Sequence, residues 1–108
     1  MEIAFFTGPD LPGTDEELAA LVNAGLTVQV VRNATRRDVL TADYASTDVL
    51  WFAAHGGIDD EGQPSISLAD GWLPASTLAA LVKAFSLHFV YYSSNATSIR
   101  LLILPLLL

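Results

Sequence analysis

The segment "DVLWFAAHGG", Asp48 to Gly57, determines how the rest of the chain is interpreted. Its apolar run, Val49 to Ala54, is short and rich in bulky residues, which indicates a buried strand. The strand ends on His55, and Gly56 and Gly57 then give the backbone freedom to turn. Open α/β sheets bind their ligands at the carboxyl ends of the strands. His55 is therefore a candidate functional residue.

Strand and helix patterns alternate on both sides of this segment. Short apolar runs closed by glycine, proline or polar residues predict strands, and amphipathic stretches behind capping residues predict helices. In chain order the patterns predict a strand at 2–8, a helix at 14–25, a strand at 26–33, a helix at 36–46 capped by Thr35, a strand at 48–55, a small hairpin at 65–73, a helix at 76–85 and a strand at 87–94. We expect one α/β domain over residues 1–108, in which a flavodoxin-like parallel sheet of about four strands has the order 2-1-3-4.

Composition excludes several classes of function. The 108 residues are 52% hydrophobic and carry a formal net charge of -7, which argues against non-specific binding of nucleic acid or anionic lipid. The absence of cysteine excludes disulfides, Cys-based metal sites and a thiol nucleophile in this chain. We expect no cofactor, since the glycines near the amino end lack phosphate-loop spacing. The three adjacent acids Asp59 to Glu61 could bind a metal or a basic peptide, but without a spaced partner they are more typical of a solvated loop, so we expect no metal. The first residues contain no basic leader, which predicts a cytoplasmic protein.

The carboxyl end is apolar after Arg100 and reads "LLILPLLL". These residues are too few to span a bilayer, which requires about 20 apolar residues in a helix. We expect a helix from Ser98 that Pro105 bends or ends. It would be buried in the core or in a homodimer interface, because an exposed apolar segment favours association. Alternatively, the chain is a fragment and a membrane segment begins here.

Three segments in order resemble the caspase-like cysteine peptidases, most of all their bacterial CHAT branch. They are "VLWFAAHGG" (49–57), "ISLADGWLPASTLAALV" (66–82) and "HFVYYSSNATS" (88–98). In that family an apolar strand ends in His-Gly, a small hairpin and a helix follow, and the next strand ends in the nucleophilic cysteine. The resemblance implies a three-layer caspase-like fold, truncated after the last of these strands, that acts on or binds a peptide or protein.

The resemblance also assigns roles to individual residues. His55 stands at the position of the general base, and Gly56 or Gly57 lies beside the oxyanion hole. The cysteine position falls on Ser94 or, with a slip of one residue, on Asn95. A serine hydroxyl is not ionised by a neighbouring imidazole alone, so the resemblance implies an inactive or inactivated peptidase. The alternatives are a non-catalytic protein-interaction module and a membrane-associated effector.

Overall fold

The computed structural model describes residues 1–9, 11–95 and 98–104, with side chains through His88. In this part of the chain, three helices and eight strands alternate largely as the sequence predicts. In chain order the elements are β1 (Glu2–Thr7), α1 (Thr14–Asn23), β2 (Thr27–Val31), α2 (Arg36–Thr41), β3 (Val49–Ala53), β4 (Gly56–Ile58), β5 (Pro64–Leu68), β6 (Gly71–Pro74), α3 (Ala75–Phe85), β7 (His88–Asn95) and β8 (Ser98–Leu104).

The larger of two sheets has the strand order β2-β1-β3-β7-β8. β1 pairs in parallel with both β2 and β3, which confirms the predicted order 2-1-3 for the first three strands. β7 pairs in parallel with the other side of β3. The chain moves from β1 to β2 in one direction and from β2 across to β3 in the other. The helix α1 covers one face of the sheet, and α2 and α3 cover the opposite face, as expected for right-handed crossovers.

Side chains of β3 alternate between two apolar clusters. Leu50, Phe52 and Ala54 pack on the face covered by α2, α3 and the small sheet. Val49 and Ala53 pack on the opposite face, against residues of α1. Both sides of the strand are therefore buried, which explains why its sequence is continuously apolar rather than alternating.

The small sheet is antiparallel and has the order β4-β5-β6. The predicted hairpin is its β5–β6 pair, in which Gly71 takes a positive φ of 134°. The strand β4, formed by Gly56–Ile58, was missing from the prediction. Two glycines give no strand signal, and the pairing of β4 with β5 supplies the backbone hydrogen bonds that define it.

The helix α2 is shorter than predicted. It begins at a capping box, in which the Thr35 hydroxyl accepts from the Asp38 N–H and the Asp38 carboxylate accepts from the Thr35 N–H. It ends at Thr41 because Ala42 is extended, with φ −62° and ψ 150°. The chain leaves the helix so that Tyr44 can enter the core beside Phe6. The helical pattern beyond Thr41 was therefore overridden by tertiary packing.

The predicted carboxyl-terminal helix is wrong over the described residues. Ser98–Leu104 forms β8, which pairs antiparallel with β7 at the edge of the larger sheet. A short apolar run does not distinguish a helix from a buried strand, and the open edge of β7 offers hydrogen-bonding partners for a strand. The larger sheet therefore does not end at β7, and truncation relative to the caspase-like family stays a prediction. Pro105 and residues 106–108 lie outside the described residues, and the homodimer interface predicted for this segment stays a prediction.

Among residues 1–9, 11–95 and 98–104, none of the helices is both long enough and apolar enough to cross a bilayer.

Candidate functional site

His55 lies where the chain passes from the larger sheet to the small one. It follows Ala53, the last residue of β3, by two positions, and its side chain is half-buried. The Ser67 N–H of β5 donates to the His55 carbonyl oxygen at 2.8 Å. The Gly8 N–H, at the end of β1, donates to the Ala53 carbonyl oxygen at 2.8 Å. The backbone that carries His55 is thus held from both sheets.

Gly8 allows the two sheets to approach at this point. A Cβ atom on Gly8 would lie 2.4 Å from the Ser67 carbonyl oxygen and 2.9 Å from the Ala54 Cβ, so a larger residue would displace backbone atoms. Sequence reasoning treated Gly8 only as the end of a strand. The contact with β5 depends on residues almost sixty positions away, and no local pattern reveals it.

The end of β7 lies beside the end of β3 in the same sheet. Ala53 and Tyr92 form the last register pair between these parallel strands. His55 and Ser94 each follow that pair by two residues. The backbone of Ser94 is paired with Ile99 of β8. His55 lies beyond the end of β3, whereas Ser94 is still within β7, so both positions are near the carboxyl edge of the sheet, where ligands bind in α/β sheets.

The side chains of Ser94 and Asn95 lie outside the part of the structure that is described, so their contact with His55 and the choice between them stay predictions.

The second histidine, His88, pairs with Val49 at the amino end of β7. It is therefore at the opposite edge of the sheet from His55.

Gly56 and Gly57 form the first two residues of β4 and pair with Ile66 and Ser65 of β5. A Cβ atom on Gly57 would lie 2.7 Å from the tip of the Trp72 indole ring. The absence of a side chain at Gly57 is thus explained by close packing of Trp72 on the backbone. The expected role of these glycines beside an oxyanion hole stays a prediction.

The carboxyl edge of the larger sheet is linked by polar backbone contacts around a buried threonine. The Thr7 hydroxyl accepts from the Asn33 N–H, and the Thr7 carbonyl oxygen accepts from the Ala34 N–H, both at 2.8 Å. The Ala69 N–H in turn donates to the Ala34 carbonyl oxygen at 2.8 Å. These bonds join the ends of β1 and β2 to the small sheet. They give the surroundings of His55 a defined backbone geometry.

A cavity of about 560 Å³ opens at the end of β1 and the start of α1, but His55 does not line it. Asp15 and Glu16 line this cavity, and Asp15 pairs with Arg32 at 2.8 Å. Carboxylates in the first turn of a helix disfavour a second anion there. The cavity therefore provides no evident phosphate site, and we place the candidate site at His55.

The acidic loop after β4 is organised around Asp59. Its carboxylate accepts hydrogen bonds from the backbone N–H groups of Glu61 and Gln63 and from the Ser65 hydroxyl, each at 2.9 Å. The hydrogen bond from the Gln63 backbone is the main reason that the pKa of Asp59 is lowered. The Asp59 carboxylate thus holds the loop closed.

No group of three or more His, Asp or Glu residues in the described part of the chain could hold a metal ion.

Comparisons with known proteins leave the family open. No protein-family model matches the chain, and no curated protein sequence and no solved structure matches it either.

Proposed function

We propose that this chain is a caspase-like domain of the CHAT type in which Ser94 stands at the position of the nucleophilic cysteine. It binds a peptide or protein and cleaves it little or not at all. One observation carries the proposal: His55 and Ser94 follow the last register pair of two adjacent parallel strands by the same two residues. That arrangement suits a base and a nucleophile that share a proton.

The order of the remaining elements also supports the proposal. A small antiparallel sheet follows His55, α3 comes next, and β7 returns to the sheet beside β3. In the caspase-like family that the sequence resembles, these elements correspond in order to the hairpin, the helix and the strand that carries the nucleophile. The larger sheet is then a caspase-like sheet of order 2-1-3-4 with β8 added at its edge.

The proposed chemistry predicts that turnover is low. In a cysteine peptidase, the histidine removes the thiol proton, the thiolate attacks the scissile carbonyl, and backbone N–H groups stabilise the oxyanion. A thiol has an ordinary pKa of about 8.5, so a nearby imidazolium yields a substantial thiolate population near neutral pH. An alcohol is a far weaker acid. A site shaped for thiolate chemistry therefore loses its nucleophile when serine replaces cysteine.

Because the chain contains no cysteine, a single introduced thiol reports on its own surroundings. We would make Ser93→Cys, Ser94→Cys and Asn95→Cys, each with and without His55→Ala, and measure alkylation by iodoacetamide against pH. We expect the Ser94→Cys thiol to titrate below the ordinary value of about 8.5 and to return to it when His55 is replaced. The Ser93→Cys thiol is the matched control, with no expected dependence on His55.

Peptide cleavage is measured on the same variants with a mixture of fluorogenic peptides. Cleavage by Ser94→Cys that disappears in the His55→Ala variant would support a peptidase ancestry. A thiol dependent on His55 without cleavage would favour the non-catalytic interaction module. If none of the three thiols responds to His55, the assignment of the two positions is wrong.

A further inference from the structure

A second groove lies on the small sheet, away from the edge that holds His55. It has a volume of about 500 Å³ and lies between α2, the loop after β4, β6 and the start of α3. Its apolar lining includes Leu40, Trp72 and Pro74, and its rim includes Asp60 and Glu61. We refer to this surface as the acidic groove.

Two of the apolar residues that line the groove are exposed to solvent. Leu40 is 49% exposed and Trp72 is 36% exposed. Single exposed apolar residues are common, but an aromatic and an aliphatic side chain in one groove with acidic neighbours are typical of an interaction site. Their exposure leaves apolar surface that a partner would remove from water.

The groove carries excess negative charge. Asp60 and Glu61 are exposed, and neither forms an ion pair with another described residue. Arg36 also lines the groove, but its Nε lies 3.4 Å from the Asp70 carboxylate, and its backbone N–H donates to the same carboxylate at 2.9 Å. The positive charge of Arg36 is thereby offset, while the carboxylates of Asp60 and Glu61 remain free to attract a cation.

The surface is also organised in advance. Asp59 holds the turn that carries Asp60 and Glu61 through its bonds to backbone N–H groups and Ser65. The Trp72 indole packs against the backbone of Gly57, so closely that a Cβ atom on Gly57 would lie 2.7 Å from the ring. A surface with fixed loops and side chains loses less conformational entropy when it binds.

We propose that the acidic groove binds a cationic peptide segment in which lysine or arginine residues flank an apolar side chain. The apolar side chain contacts Leu40 and Trp72, and the flanking cations lie near Asp60 and Glu61. A lysine or arginine can also stack on the face of Trp72. This binding does not require the proposed peptidase ancestry, because none of its contacts uses His55 or Ser94.

The test uses the full chain and a fluorescein-labelled synthetic peptide in which lysines flank one phenylalanine. Fluorescence anisotropy gives its affinity, and NMR shifts of the tryptophan indole N–H groups locate it. We expect the Trp72 signal to shift and the Trp51 signal to stay, because Trp51 belongs to the cluster on the α1 side of the larger sheet. Binding should weaken as salt is raised, since exposed charges are screened.

The variant Asp60→Asn/Glu61→Gln removes two charges from the rim, and Glu16→Gln/Glu17→Gln removes two from α1 on the opposite face. We expect the first to weaken binding by about fivefold or more and the second to change it by less than about twofold. Equal weakening in both variants would mean attraction to net charge alone and would overturn the proposal. So would an unshifted Trp72, or equal binding of a peptide with glutamine in place of lysine.

Discussion

Replacement of Phe52 by alanine should destabilise this domain several times more than the same replacement at Phe85. The Phe52 side chain is 0% exposed at the centre of the larger sheet, and its ring stacks on Phe6 with a centroid distance of 5.3 Å. Phe85 is the last residue of α3 and is 47% exposed. Both substitutions delete the same atoms, so most of the difference in the free energy of unfolding reports the difference in burial.

The magnitudes follow from the surroundings of each ring. A fully buried phenylalanine replaced by alanine costs about 3–5 kcal/mol, because the transfer free energy is lost and an enclosed cavity remains. At Phe85, roughly half of the transfer term is lost, and the vacated space opens to solvent. The better helix propensity of alanine offsets a few tenths of a kcal/mol. We expect about 4 kcal/mol for Phe52→Ala and about 1 kcal/mol for Phe85→Ala.

Urea unfolding followed by circular dichroism measures both values, provided that the slope with denaturant is unchanged. A typical domain is stable by about 5–15 kcal/mol, so Phe52→Ala should remain measurable but have a much lower midpoint. Equal losses at the two positions would refute the packing described for β3. A loss below about 1.5 kcal/mol at Phe52 would do the same.

Two further predictions concern single contacts. Gly57→Ala should lower the free energy of unfolding by about 1–2 kcal/mol, because the new methyl group pushes the Trp72 indole outward. In a double-mutant cycle, Gly57→Ala should cost much less when Trp72 is already replaced by leucine. Additive losses from the two substitutions would contradict the contact. Burial raises the pKa of Tyr44 to about 12, and its hydroxyl donates to the Val39 carbonyl oxygen. The neutral phenol therefore stabilises the fold fully below about pH 10, the unfolded value, and this contribution is lost as pH rises toward 12. Alkaline unfolding should be less steep in Tyr44→Phe, and an unchanged profile would argue against burial of the hydroxyl.

The position of His55 could be predicted from local sequence alone. A short, continuously apolar run predicts a strand buried on both faces, and the polar residue with two glycines marks its end. The ends of β1 and β2 and the start of α2 were assigned on similar grounds, within a few residues. Which residue of β7 is paired with the end of β3 could not be predicted in this way, because it depends on the register between the two strands.

The acidic loop is a second place where the sequence could not predict which residues are available to a partner. Three adjacent acids are consistent with a solvated loop or with a site for a metal or a basic peptide, and no spacing in the sequence distinguishes Asp59 from Asp60 and Glu61. The fold does separate them: Asp59 caps backbone N–H groups and Ser65, while Asp60 and Glu61 face solvent beside Trp72. Sequence therefore identified the charges, and the turn decided which of them is available to a partner.

By itself, the sequence determined the alternation of strands and helices, the 2-1-3 order of the first parallel strands and the candidate residue His55. The alternation and the position of His55 depend on hydrophobic period and capping residues, which act over a few neighbouring residues, and the strand order follows from short right-handed crossovers between consecutive strands. Only the tertiary structure decided that Ser98–Leu104 is a strand and that Leu40 and Trp72 line the same groove. It also showed that the two sheets can approach at Gly8 only because this residue has no side chain. Each of these depends on contact between distant parts of the chain, and an apolar or glycine residue carries no local mark of its distant partner.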